Sequence, residues 1–462
     1  MSNLKKIYIY LVFISSILSS IYADEELEVT LSTKNSLAPL YLSKVFNEKA
    51  DLEDTYLAKL FSVLKFDLNY NGFTNVIPSE YQKDFKISHF DFEVAFDSAF
   101  WQKQKIAYLI KSEVSKKTLK AYIYNVNTNL LKILSIDLVG NINEDRQKIH
   151  VLCDNIQEML FFVKGIASSK IIYTVRSKII YTVRSKNEDG KKLKWQSEIW
   201  SCDSDGENAK RLTHQHSYFV HPIFLPKSNN KQYLYISYKN GQPKIYLSST
   251  FNENDNAALV NLRGNQLLPS ISLNGEKLAF ISDAAGNPDL FLQYFDENTK
   301  AIGKPIQLIS YPRATTASPC FSPDSEKLAF VSDKDGPVRI YVINIPESHY
   351  DRKRPIAHLI TKKNRENVTP SWSKDGKKLA YSAKVNNIRQ IWIYDFETDQ
   401  EWQLTNGAKN KENPIWANDS IHLVYNTEDN DESELYLTNI NQKQSVKITK
   451  NEGRKRFPSF EP

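Results

Sequence analysis

Residues 370–381 read PSWSKDGKKLAY, and this stretch decides the fold. The large apolar Trp372 marks the end of one short strand, and Leu379 lies near the start of a second. Between them, Asp375-Gly376 supplies residues that tolerate the left-handed backbone of a tight turn. The stretch therefore predicts an antiparallel β-hairpin.

This hairpin is one copy of a repeat that fills the second half of the chain. Each copy has a marker proline with a large apolar residue two positions later, and successive prolines lie 47, 50, 51, 44 and 44 residues apart. The prolines are Pro222, Pro269, Pro319, Pro370, Pro414 and Pro458, and the apolar residues are Phe224, Ile271, Phe321, Trp372, Trp416 and Phe460. The turn pairs are Asn274-Gly275, Asp324-Ser325, Asp375-Gly376 and Asp419-Ser420. A unit of 44–51 residues with four short strands is typical of one β-propeller blade.

The ends of the repeat region indicate how the ring closes. The chain finishes on a first strand, residues 456–462, with no blade after it. Conversely, residues 179–184, 197–203 and 210–213 resemble strands two to four of a blade that lacks a first strand. We therefore predict that the C-terminal strand completes the first blade and that the ring has six blades. Seven blades are the alternative if the upstream chain adds one.

Residues 169–186 contain a perfect duplication, SKIIYTVRSKIIYTVRSK. The repeat length is eight, an even number, so either copy places the same side chains on the same face of a strand. The second copy, Ile179–Arg184, is predicted to lie in the ring, because its distance to Ile199 resembles that of the other hairpins. The first copy would then extend the linker, and the duplication itself is read as neutral.

The first half of the chain lacks the propeller period. Residues 1–23 combine a basic start, an apolar run and Ala23, as in a cleaved secretory signal; an uncleaved anchor is the alternative. Residues 24–165 mix helical and strand patterns, with helices predicted over 54–66 and 142–163, and form a small α/β domain before the all-β propeller at 166–462. Residues 24–32 alternate acidic and apolar side chains. They are either an arm able to join a partner's sheet edge or an ordinary first strand.

Composition excludes several classes of protein. The net charge of +6 is too small and too dispersed for a nucleic-acid binder, and three cysteines rule out a disulfide framework. No nucleophile elbow, zinc-protease motif or P-loop is present, and no carboxylate pair has the spacing of an acid–base couple. His214, His216 and His221 form the one metal-like cluster; a structural or solvated role is favoured, so no metal or cofactor is predicted.

The repeat in residues 370–381 resembles that of the TolB family, P-x-[FW]-S-x-D-G-x-K-[LI]-A-[FY]. The first half adds to the resemblance. Phe66-Asp67-Leu68 followed by Gly72-Phe73 is similar to a family segment, residues 146–165 to its linking helix, and Leu27–Thr30 to its extended arm. Ser325 and Ser420 depart from the family by standing where glycine is common, and residues 85–100 match poorly.

The resemblance implies a non-enzymatic scaffold of the periplasm. TolB-like proteins bind the peptidoglycan-associated lipoprotein Pal through the propeller mouth and TolA through the N-terminal region. The expected roles are outer-membrane integrity and envelope constriction at cell division. The expected protein is a monomer that reaches the outer membrane only through its partners, among them other outer-membrane proteins.

Partner-binding residues are predicted at two places. The channel mouth is expected to be formed by loops that contain the residues just before each marker proline: His221, Leu268, Ser318, Thr369, Asn413 and Phe457. Glu28 and Val29 are the candidates in the arm. Two other functions remain open at this point, a metal-dependent lyase-like propeller enzyme and a carbohydrate-binding propeller.

Overall fold

A computed structural model describes residues 37–88, 97–185, 188–215, 217–228, 231–252, 256–351, 354–429, 432–442, 444–450 and 453–461, with only the backbone described for 177–195. The predicted signal segment and the arm at 24–32 lie outside these residues.

The N-terminal region is a five-stranded sheet covered by helices. The strands are β1 (Ala38–Ala50), β2 (Thr74–Ile77), β3 (Tyr108–Lys116), β4 (Thr118–Asn125) and β5 (Leu130–Asp137), in the order β2-β1-β3-β4-β5. The helices are α1 (Asp54–Asn69), α2 (Tyr81–Ser88), α3 (Ser98–Lys103) and α4 (Ile142–Phe161). β1 runs parallel to β2 and β3, whereas β3, β4 and β5 are antiparallel, so the region has the predicted α/β character.

Helices α1 and α4 pack together over one face of this sheet. Leu60 and Leu64 of α1 and Ile149 and Leu152 of α4 are buried in one apolar core with the sheet residue Ile110. The predicted helix over 54–66 continues to Asn69, and the one over 142–163 ends at Phe161. The side chain of Asn141 caps α4 by accepting the backbone N–H groups of Asn143 and Glu144.

Residues 170–460 form six four-stranded antiparallel sheets, the blades of a propeller. Blade 1 consists of β29 (Arg454–Phe460), β6 (Lys170–Ser185), β7 (Glu188–Asp203) and β8 (Lys210–Arg211). Blade 2 consists of β9 (Phe219–Phe224), β10 (Gln232–Ser237), β11 (Lys244–Ser249) and β12 (Asn256–Ala258). Blade 3 consists of β13 (Leu267–Ile271), β14 (Lys277–Ser282), β15 (Asp289–Phe295) and β16 (Ala301–Ile309).

The other three blades follow the same order. Blade 4 consists of β17 (Thr316–Phe321), β18 (Lys327–Ser332), β19 (Arg339–Asn344) and β20 (His358–Leu359). Blade 5 consists of β21 (Asn367–Trp372), β22 (Lys378–Val385), β23 (Ile388–Asp395) and β24 (Gln400–Gln403). Blade 6 consists of β25 (Asn410–Trp416), β26 (His422–Glu428), β27 (Leu435–Asn439) and β28 (Val446–Lys447).

Neighbouring blades bury their faces against each other. Leu290 and Leu292 of blade 3 share one core cluster with Phe330 of blade 4, and Val331 of blade 4 shares the next with Tyr381 of blade 5. A blade has two apolar faces and cannot cover both alone, so the radial stack supplies the missing partner for each. The chain is rich in aromatic residues and poor in glycine because large apolar side chains fill the space between neighbouring blades.

The C-terminal strand closes the ring, as predicted. β29 pairs with β6, with Phe460 opposite Ile171 and Ser459 opposite Ile172. The backbone N–H of Lys170 also donates to the Glu461 carboxylate at 2.7 Å. The prediction of six blades is confirmed, and the seven-blade alternative is wrong.

The prediction for the duplication is wrong. It is the first copy, residues 171–176, that lies in the ring between β29 and β7, with Ile171 opposite Cys202. The second copy, 179–184, pairs with residues 189–194 in an extension of the same hairpin. In this register both copies pair, because β6 and β7 form one long hairpin, whereas with the second copy in the ring the first would be an unpaired linker. The Asp154 carboxylate also holds the chain just ahead of the first copy, by accepting the N–H groups of Ala167 at 2.7 Å and Ser168 at 2.9 Å.

The residues before the marker prolines also differ from expectation, because they lie within the innermost strands and not in loops. In blade 2 the pairing skips from Ile223 opposite Leu234 to Val220 opposite Ile236, so His221 and Pro222 together face one residue. This is a β-bulge, and equivalent shifts interrupt β13, β17, β21, β25 and β29. Proline has no N–H to give to the ladder, so each strand breaks its pairing there.

Candidate functional site

The innermost strands of all six blades surround one central channel with a cavity of about 260 Å³. Every marker proline and every apolar residue two positions later lines it. The apolar side chains are held firmly. The indole N–H of Trp416 donates to the Ser371 carbonyl at 3.1 Å, and that of Trp372 donates to the Gly376 carbonyl at 3.0 Å. These bonds hold the two indoles in place in the channel wall.

The six predicted channel residues are brought together in this wall. All six have a positive φ: His221 58°, Leu268 48°, Ser318 47°, Thr369 51°, Asn413 52° and Phe457 52°. Outside glycine such a conformation costs about 1–2 kcal/mol per residue. Since every blade repeats it, the ring and its bulges impose it, and each side chain is aimed at the channel in the same way.

His221 illustrates how the wall is built. Its ring stacks on Phe457, with centroids 5.0 Å apart and planes inclined by 22°, and its backbone N–H donates to Thr174 Oγ1 at 3.2 Å. Burial lowers the pKa of His221 to about 4, so the imidazole is neutral at pH 7. His214 is exposed and His216 lies outside the described residues, so His221 is the member of the predicted histidine cluster that the structure places in the channel.

The wall contains one further residue, Lys374, that belongs to the repeat but was not predicted as a functional residue. Lys374 lines the channel from the turn after Trp372. The sequence signal was available, because the corresponding turn positions carry Pro226, Leu273 and Pro323, and only Lys374 breaks an otherwise uncharged series.

The N-terminal region is attached to the same end of the ring on which Lys374 lies. The buried imidazole of His422 lies 2.5 Å from Asp419 Oδ2 through Nδ1 and 2.6 Å from the Tyr70 carbonyl through Nε2. Asn441 and Gln442 donate to the carbonyls of Gly72 and Asn69, each at 2.9 Å. These contacts join the end of α1 to blade 6.

A second buried contact joins α4 to blade 1. Within the described part of the chain, His150, Asp203 and Asp205 are the one group of potential metal ligands with atoms within 4.8 Å of one another. Asp205 is paired with Arg146 and Asp203 with Lys170, while His150 Nδ1 lies 2.7 Å from Asp67 Oδ2. Burial opposes a charge on His150, but the adjacent Asp67 and Asp205 carboxylates outweigh it and raise its pKa. The group is therefore an ion-pair network at a domain joint.

A short chain of hydrogen bonds links the channel rim to the first joint. The N–H of Asp375, next to Lys374, donates to Ser420 Oγ at 2.9 Å. Ser420 follows Asp419, which holds His422 against Tyr70.

The predicted arm residues Glu28 and Val29 lie outside the described residues. Within the described ranges, no helix is both long and apolar enough to cross a membrane.

Comparison with known proteins gives consistent results. The family described as "TolB beta propeller domain" matches residues 167–462. A "Protein TolB homolog" of Protochlamydia amoebophila is 44% identical over 394 residues, covering 84% of this chain and 82% of that protein. The homolog of Chlamydia trachomatis serovar L2 is 36% identical over 389 residues, covering 84% of this chain and 80% of that protein.

A solved structure supports the fold over a longer stretch. The crystal structure of TolB from Acinetobacter baumannii superposes with a TM-score of 0.69 and covers 92% of this chain and 97% of that one. The sequences are 19% identical, so this likeness concerns the fold.

Proposed function

The chain belongs to the TolB family of non-enzymatic scaffold proteins, and on that premise we propose that it is a periplasmic component of a Tol-Pal system. In this role it binds the peptidoglycan-associated lipoprotein Pal through the propeller and TolA through the N-terminal region. The basic and apolar pattern of residues 1–23 supports export.

The observation that carries the proposal for Pal is the convergence of six equivalent residues on one channel. His221, Leu268, Ser318, Thr369, Asn413 and Phe457 all line it. The wall mixes apolar, aromatic and small polar groups, as protein interfaces do. Because its bulges are fixed by the ring, a partner segment meets a surface that needs little reordering on binding.

The proposal for TolA rests on the sequence of the arm and, separately, on the joints between the N-terminal region and the propeller. Glu28 and Val29 belong to an acidic, alternating segment able to bind by strand addition. The path from Asp375 through Ser420 and His422 to Tyr70 gives a physical route by which occupation of the channel alters the N-terminal region. A shift between docked and free arm would then report on Pal binding. The proposal includes the envelope roles in outer-membrane integrity and constriction at cell division, which the resemblance to the TolB family implies.

The test is calorimetry with the mature full chain and the lipid-free periplasmic domain of Pal from the same bacterium. Ser318→Tyr fills the channel and is expected to weaken binding at least tenfold, about 1.4 kcal/mol. Lys362→Gln, an exposed residue whose ion pair with Asp399 lies on the outer surface of the protein, is the control and should leave affinity unchanged. Binding by Ser318→Tyr with wild-type affinity would contradict the channel as the Pal site.

A separate experiment tests the arm. Deleting residues 24–32 of the mature chain is expected to abolish TolA capture and to change Pal affinity. If neither binding changes, the coupling is wrong.

A further inference from the structure

Lys374 is the one fixed charge of the channel wall. Apart from His221, whose imidazole is neutral at pH 7, the other lining residues are apolar or uncharged, and the wall described by the structure contains no aspartate or glutamate. The cavity therefore has a single positive group on an otherwise uncharged wall.

The fold does not require a lysine at this position. The turns of blades 3 and 4 place Leu273 and Pro323 there, and both close like the blade 5 turn: the backbone N–H groups of Ser272, Ser322 and Ser373 donate to the carbonyls of Lys277, Lys327 and Lys378. Blade 2 has a longer turn and places Pro226 there. The adjacent residues stabilise the turn. In blade 5 the Asp375 carboxylate accepts hydrogen bonds from the Ser373 hydroxyl at 2.6 Å and from the Lys377 N–H at 3.0 Å. The Lys374 side chain takes no part in these bonds.

The ammonium group also lacks a counter-ion. Among the described residues no carboxylate lies within ion-pair distance of it. By contrast, Lys377 in the same turn is exposed and pairs with Glu397 at 2.8 Å. Burial lowers the pKa of Lys374, which reflects the cost of holding a charge in an apolar site without a partner.

We propose that Lys374 anchors a carboxylate of the protein segment that enters the channel, with apolar side chains on either side of that carboxylate packed against the proline and aromatic wall. This inference rests on the proposed function, since it takes the channel as the partner site. It specifies the chemistry of the occupant: an acidic side chain within an apolar stretch. An anion that replaces the missing counter-ion gains a charge-assisted hydrogen bond to a half-buried ammonium group.

A small probe tests this chemistry without the partner protein. N-acetylphenylalanine has a carboxylate beside an aromatic ring, and N-acetylphenylalanine amide is its uncharged match. Binding to the full mature chain is followed at pH 7 through the indole N–H signals of Trp372 and Trp416. The acid is expected to bind roughly tenfold more tightly than the amide.

Variants then assign the preference to Lys374. Lys374→Gln should abolish the preference for the acid, and Lys374→Arg should retain it. Lys377→Gln, in the same turn but outside the wall, is the control and should bind both probes like the wild type. Equal binding of acid and amide by the wild type, or an unchanged preference in Lys374→Gln, would overturn the proposal. Thermal unfolding of each variant shows whether the ring is intact.

Pal affinity, measured in parallel, separates the two proposals. If Pal binds the wild type but Lys374→Gln weakens it roughly tenfold, both stand. If Pal binds both chains equally, the anchor is wrong and the function is unaffected. If Pal does not bind the wild type while the acid probe keeps its preference, the partner assignment fails and the carboxylate site stands.

Discussion

His221 and Phe457, from adjacent blades, stack face to face in the channel wall, with ring centroids 5.0 Å apart. Phe457 belongs to the C-terminal strand that closes the ring, and His221 belongs to the first complete blade along the chain. Both residues have positive φ, 52° and 58°. The contact therefore links the closing strand of blade 1 to the innermost strand of blade 2, through two residues with a strained backbone conformation.

The first prediction concerns this strain. Phe457→Ala and Phe457→Gly both remove the ring, but only glycine adopts a φ of 52° without steric cost. The glycine variant should therefore be about 1 kcal/mol more stable than the alanine variant, the reverse of the usual order inside a strand. Urea unfolding of the two variants measures the difference. A more stable alanine variant would mean that the bulge relaxes once the ring is removed.

Two turns offer a second comparison. Ser325 and Ser420 have φ of 61° and 57°, where the repeat otherwise carries glycine. Ser325→Gly should raise the free energy of unfolding by about 1 kcal/mol, because the turn strain disappears. Ser420→Gly should gain less or lose stability, because Ser420 Oγ accepts the Asp375 N–H at 2.9 Å. Equal gains in chemical denaturation would show that this bond contributes nothing.

The sequence predicted the ring well because the repeat is a physical unit. Each marker proline, apolar residue and turn pair occupies its expected place, and the second residues of the turns, such as Gly275 and Ser325, have positive φ. The closure of the ring could be predicted because the repeat region ends on an unpaired first strand and begins with a blade that lacks one. The six channel residues also followed, since a repeat sets equivalent residues around one axis.

Other features could not be predicted because periodicity does not encode them. A proline marks a break in pairing, but whether the break is a loop or a bulge depends on the neighbouring strand, and the bulge at His221 shows the latter. The two copies of the duplication have the same alternation, so alternation could not show that both pair within one long hairpin, residues 170–185 with 188–203. The pairing of His422 with Tyr70 joins residues far apart in the chain, and no local pattern reports it.

The third prediction follows from the duplication. Removing residues 179–186 leaves the first copy in place between β29 and β7, since Ile171–Arg176 makes the ring contacts. The shortened chain should keep its free energy of unfolding within about 0.5 kcal/mol, as expected for a change outside the packed core. Hydrogen exchange should show the amides of residues 171–175 protected in both chains. Because removal of either copy gives the same shortened chain, the deletion tests whether one copy is enough for the ring. Loss of cooperative unfolding would mean that the extended part of the hairpin is needed for stability.

The last prediction is a pH dependence at the joint between α1 and blade 6. Both ring nitrogens of the buried His422 face oxygen acceptors, Asp419 Oδ2 at 2.5 Å and the Tyr70 carbonyl at 2.6 Å, so the imidazole carries both protons. Burial opposes this charge, but the Asp419 carboxylate outweighs it and raises the pKa of His422. For Asp419, burial is likewise outweighed, here by the His422 charge and by hydrogen bonds, which lower the pKa of its carboxyl.

The signs of these shifts define where the pair stabilises the fold. A histidine with a raised pKa contributes fully below its unfolded value of about 6.5, and the contribution disappears as pH rises through the folded pKa. An aspartate with a lowered pKa contributes above about 3.9 and loses its contribution as pH falls. The pair therefore stabilises the joint most between about pH 4 and 6.5.

The variant His422→Gln isolates this effect from other titrating groups such as His150. At pH 6 it should be less stable than the wild type by about 3 kcal/mol, the usual cost of breaking a buried ion pair. The gap should narrow as pH rises above about 6.5, because the folded wild type then still holds a proton that its unfolded chain has released. Urea unfolding of both chains across this range measures the gap. A constant gap would mean that His422 is neutral in the fold and that the joint depends on packing alone.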